Sequence, residues 1–74
     1  LDRITFDANV LGGKPIIRGL RISVDMIQEL LAKGATWQEI LEDYPMLEAD
    51  DLRAALFYAH SLVTGERVFE RVSA

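Results

Sequence analysis

The sequence predicts a mainly α fold: a three-helix, helix-turn-helix core of the homeodomain-like or winged-helix-like kind, with a short N-terminal β arm. Three observations predict it. Residues 11–24 hold glycines, a proline and short β-branched runs; Thr36 and Glu39 form a capping-box pair; and apolar residues at helical spacing then continue towards Gly65. The chain reads as one domain, with residues 1–22 as the arm, 23–65 as the core and 66–74 as a C-terminal tail.

Residues 3–6 alternate polar and apolar and are β-prone, so they predict a first short strand, ending at the turn formers Asp7 and Asn9. Gly12 and Gly13 admit positive φ and Pro15 fixes the next step. Ile16-Ile17 and Arg21-Ile22 then read as two extended runs hinged at Gly19, a small hairpin. Ser23 is placed to cap a helix over residues 24–33, whose stripe is Met26, Ile27, Leu30 and Leu31 and whose end is marked by Lys33 and Gly34.

Thr36 and Glu39 can satisfy each other's backbone N–H groups. Trp37, Ile40, Leu41 and Tyr44 follow at i, i+3, i+4 and i+7, and Pro45 stops this short helix by forcing Tyr44 out of the helical region. Glu48, Asp50 and Asp51 suit the start of a third and longest helix. Its stripe reads Leu52, Ala55, Leu56, Ala59, Leu62 and Val63, up to Gly65. Residues 66–72 form a charged tail with Val68, Phe69 and Val72 as apolar anchors.

Composition narrows the function. A 74-residue domain buries only about 60% of the surface that its unfolded chain exposes. With no cysteine and no metal-ligand spacing to staple so small a core, self-association is expected, and a homodimer is predicted. No apolar run is long enough for a membrane span, so the chain reads as a soluble, cytoplasmic protein that does not enter membranes. It starts at Leu1 rather than methionine, and a few upstream residues are expected.

The net charge of −4 is unevenly distributed. Residues 1–22 set Arg3, Lys14, Arg18 and Arg21 against Asp2 and Asp7, whereas the remainder sets four cations against ten carboxylates. Affinity for nucleic acid scales with the phosphates that Lys and Arg neutralise, so a uniformly phosphate-coating protein is excluded and any nucleic acid is expected at the arm.

The run Leu11-Gly12-Gly13-Lys14-Pro15, the following Arg18-Gly19-Leu20-Arg21, Tyr44-Pro45 and Tyr58-Ala59 together resemble the domain of unknown function 433 family, over nearly the whole chain. The resemblance implies a compact helix-turn-helix domain and a VapB-type antitoxin role, paired with a PIN-like ribonuclease toxin. Two positions depart from the family pattern: Leu20 stands where a threonine is usual, and Glu48 where threonine or serine is usual, which predicts a weaker cap on the last helix.

For DNA, the candidate residues are Lys14, Arg18 and Arg21 on the arm, beside glycines that permit close approach to phosphates or a minor groove, and Arg53 on the presumed recognition helix. That helix opens with acids that repel phosphate, so packing against core and partner is the competing reading, and the arm cations could equally pair with a partner's acidic helices. Phe57 and Tyr58 fall off the main stripe and are assigned to a dimer or partner surface. On the tail, Arg67 and Arg71, with Phe69 between them, could dock on a nuclease and pair with its metal-binding carboxylates, or simply pair with Glu66 and Glu70.

No catalytic or metal residue and no cofactor is assigned. His60 is the single histidine, Gly12-Gly13-Lys14-Pro15 lacks the spacing of a phosphate-binding loop, and Asp50-Asp51, as neighbours on a helix, diverge and read as solvated or capping acids. The function expected is that of a non-enzymatic, antitoxin-like protein that neutralises a nuclease and binds operator DNA. The alternative is a structural or dimerisation module with no DNA role.

Overall fold

The computed structural model describes residues 3–65. Strand β1 (Ile4–Thr5) pairs antiparallel with β2 (Ile16–Ile17), Ile4 opposite Ile17 and Thr5 opposite Ile16. Ile16 makes a further antiparallel bridge to Ser23, where the first helix begins. The arm therefore pairs with itself in a small intramolecular sheet. Its isoleucines are β-branched and fully or nearly fully buried, so the strands stay beside the helices rather than reaching away from them.

The reversal inside the hairpin is a tight turn. Leu20 N–H donates to the Ile17 carbonyl at 2.7 Å, and the two central residues, Arg18 and Gly19, have φ of 44° and 72°. Positive φ at both positions is the requirement of a type I′ turn, which matches the twist of the strands it joins. Gly19 adopts it freely; Arg18 adopts it against the steric preference of any residue with a Cβ. Ahead of β2 the chain makes a 3-10 turn over Leu11–Gly13 that the sequence pattern did not reveal.

The three helices are α1 (Val24–Ala32), α2 (Trp37–Asp43) and α3 (Ala49–Thr64). Ser23 caps α1 by accepting from Met26 N–H at 3.2 Å. The expected capping box opens α2: Thr36 Oγ1 accepts from Glu39 N–H at 3.1 Å and Glu39 Oε1 accepts from Thr36 N–H at 2.8 Å. The Thr36 N–H, and to a lesser degree the Thr36 side chain, hold the Glu39 carboxyl below its ordinary pKa. Gly65 ends α3 in the left-handed conformation.

Sheet and helices share one core of Ile4, Ile17, Ile22, Val24, Ile27, Ile40, Leu47, Leu52 and Ala55. Trp37 and Tyr44 are half-buried against it, as the α2 stripe predicts. The stripe of α3 behaves differently from expectation. Leu52 and Ala55 are buried, but Leu56, Leu62 and Val63 are exposed. Beyond Ala55 the fold covers only one side of α3, the side of Tyr58 and Ser61, and leaves the other in solvent.

Candidate functional site

The first turn of α3 is tied to the sheet by a buried carboxylate. Asp51 is fully buried, and its two oxygens accept four hydrogen bonds. Arg18 approaches as a fork, Nε to Oδ1 at 3.0 Å and one terminal nitrogen to Oδ2 at 2.9 Å. Arg3 donates to Oδ1 at 2.9 Å, and Glu48 N–H donates to Oδ2 at 2.8 Å. The same Arg18 nitrogen reaches the Met46 carbonyl at 2.8 Å, and Arg3 also contacts Glu48 at 2.7 Å.

The local sequence explains this geometry. The positive φ of Arg18 aims its side chain from the hairpin turn towards the start of α3, while Arg3 lies beside it because its carbonyl accepts from Arg18 N–H at 2.8 Å. Burial pushes the Asp51 carboxyl up, but the Arg18 fork, the Glu48 N–H and Arg3 outweigh that and hold it below the usual carboxylate range. Hydrogen bonds to Glu48 and Asp51 push the Arg3 guanidinium up in turn. The reading of Asp50 and Asp51 as solvated or capping acids thus holds for Asp50, which is exposed, and for the capping role of Asp51, but Asp51 is buried rather than solvated. Asp51 closes the helix N-terminus by accepting from Glu48 N–H.

This arrangement changes the standing of the DNA candidates. Arg18 is engaged by Asp51, and Arg53 pairs with Asp50 and lies over the Trp37 ring at 5.5 Å. Lys14 is an exposed side chain 3.6 Å from Asp25. Of these four candidates, Arg21 is the one with no ion pair among the described residues, and it is exposed. No group of three or more His, Cys, Asp or Glu side chains suited to a metal occurs among the described residues.

The aromatic pair separates as well. Phe57 is 49% exposed and meets the ring of His60 edge-on at 6.5 Å. Tyr58 is half-buried against the core with its ring 6.5 Å from that of Phe6, so it belongs to the packing side and not to the free surface assigned to it from sequence. The periodicity of α3 contains this signal: one residue further along a helix is a rotation of about 100°, which turns Tyr58 inward and Phe57 outward. Arg67, Phe69 and Arg71 lie outside the described residues.

Phe57 is joined on the outer face of α3 by Leu56, His60, Val63 and Thr64, all exposed. Residues 54–65 contain no Lys, Arg, Asp or Glu, the longest such run in a chain that is 27% charged. The second half of the helix is thus an uncharged, largely apolar surface, whereas the first half is anchored by charge. No helix of the described residues is long and apolar enough to cross a membrane.

Comparison with known proteins places this arrangement among relatives. A family model described as "Protein of unknown function (DUF433)" matches residues 4–59. The uncharacterized protein y4eO of Sinorhizobium fredii is 34% identical over 58 residues, which is 78% of this chain and 26% of that protein. The crystal structure of a DUF433 member from Anabaena variabilis superposes with a TM-score of 0.77 at 34% identity, over 86% of this chain and 63% of that one. The chain therefore spans about a quarter of the curated relative and under two thirds of the solved one.

Proposed function

The chain belongs to the DUF433 family, and from that premise we propose that it is a non-enzymatic, antitoxin-like module that neutralises a PIN-like ribonuclease by binding it through the outer face of α3. The observation that carries this reading is the uncharged second half of α3, with Leu56, Phe57 and Val63 exposed. Aromatic and aliphatic anchors on a rigid helix are what a protein groove accepts, and a charge-free strip is poorly suited to a phosphate backbone.

Operator DNA is a secondary ligand in this reading. With Arg18, Arg53 and Lys14 engaged by Asp51, Asp50 and Asp25, phosphate contact falls to Arg21 among the candidates, and one such contact gives a salt slope of only about −0.9. A cytoplasmic location is part of the same proposal.

The test is to co-express the chain with a PIN-like ribonuclease from the same cell, isolate the complex and titrate RNA cleavage against added chain. Stoichiometric inhibition, weakened at least tenfold by Phe57→Asp, is the expected outcome. A nuclease that neither binds the chain nor is inhibited by it defeats the proposal.

A further inference from the structure

We propose that, when no other protein is bound, the outer face of α3 is covered by a second copy of this chain, two α3 helices crossing antiparallel about a two-fold axis near His60. The inference rests on the reading of that face as a protein-docking surface, and it names a second occupant.

Charge selects the occupant's approach. Each copy carries −4, so two copies repel unless they meet through a region without charge, and residues 54–65 are the longest uncharged stretch available. Exposure agrees: among the described residues, Leu56, Phe57, Leu62 and Val63 are four of the five large apolar residues left uncovered, and all lie in this half of α3. Such a grouping on a small domain marks an interaction surface.

The strip is also self-complementary. Leu56, Ala59, His60 and Val63 stand at i, i+3, i+4 and i+7, a single line along the helix. In an antiparallel pair centred near His60, Leu56 of one copy lies against Val63 of the other, and the small Ala59 lets the backbones approach. Phe57, beside that line and edge-on to His60, closes the flank. The helix dipoles oppose one another in this arrangement, which adds no repulsion. The N-terminal arm is not needed: β1 is two residues long and already paired with β2.

The experiment measures the mass of the complete 74-residue chain, alone, by light scattering over a micromolar dilution series, beside Phe57→Asp and Val63→Asp. Both sites are exposed, at 49% and 87%, so both variants should keep the parent's helical circular dichroism. The expected result is a dimer for the parent and, for each variant, dimerisation weakened by about 100-fold as introduced carboxylates meet an apolar partner. A monomeric parent overturns the inference, and if that monomer still binds the nuclease the face belongs to the nuclease alone. Variants that dimerise as the parent does also overturn it, since the contact would then lie elsewhere. A dimer that ignores the nuclease leaves this inference standing and removes the proposed function.

Discussion

The two halves of α3 use opposite chemistry on one continuous helix. Its first turn is held by Asp51, a buried carboxylate gripped by Arg3 and Arg18 from the sheet, whereas residues 54–65 carry no charge and leave Leu56, Phe57 and Val63 in solvent. At the start of α3 one charge is turned inward to join the sheet to the helix, and towards its end apolar side chains are turned outward. The inversion is affordable only where every buried polar group is satisfied; among the described residues, no buried side-chain nitrogen or oxygen lacks a partner.

The contrast is broken most severely at Asp51. Asp51→Ala removes one acceptor from two cations and leaves Glu48 N–H unsatisfied, so a loss of about 3–5 kcal/mol is expected in chemical denaturation, enough to unfold much of a domain this size. Acid should act on the same group. Because the folded-state pKa of Asp51 is depressed, its stabilisation is complete above the unfolded carboxylate value and is lost as the pH falls through the folded one. Thermal melts should therefore hold steady near neutrality and decline below about pH 4. The decline should shrink in a background in which Asp51 is Asn, leaving the share that Glu39 and Asp25 contribute, and persistence of its full size there would assign it to those other acids.

At Arg18 the backbone and the side chain can be separated. Arg18→Ala and Arg18→Gly both lose the fork on Asp51, but glycine accepts the φ of 44° without strain. Both variants should melt below the parent, with the glycine variant above the alanine variant. The reverse order would show that the turn relaxes once the fork is gone.

Thr36→Ala tests ordinary helix capping away from either half of α3. Losing the hydroxyl that accepts from Glu39 N–H should lower stability by about 1 kcal/mol and leave binding unchanged. On the outer face the expected effect on folding is smaller still. Phe57→Asp should shift stability by less than about 0.5 kcal/mol while weakening protein association. A large loss of stability there would mean that the two halves of the helix are not distinct. Arg21→Ala closes the series: folding should be unaffected, and any DNA affinity should fall equally for all sequences, with the salt slope flatter by about 0.9.

Much of the architecture was legible before any coordinates. Ser23, the Thr36 and Glu39 pair, Pro45 and Gly65 mark helix ends through their own local bonding, and local rules suffice for such features. The hairpin was legible in the same way from Gly19 between two β-branched runs. The 3-10 turn was not, since three successive residues with positive φ, Leu11, Gly12 and Gly13, include one that has no local reason to adopt it.

By itself, then, the sequence determined the mainly α class, the helix boundaries and the existence of a long uncharged run, because each depends on residues within a turn or two of one another. Only the tertiary structure decided what the charges and the stripe would do. Arg3 and Arg18 meet Asp51 across 48 and 33 residues of chain, and no periodicity encodes a contact at that distance. The stripe of α3 looks the same from Leu52 to Val63, but burial requires something opposite, and beyond Ala55 the rest of the fold covers only the side of the helix that carries Tyr58 and Ser61. Leu52 is therefore core and Val63 is surface: a side chain is buried by what packs over it, and what packs over it is a property of the whole fold.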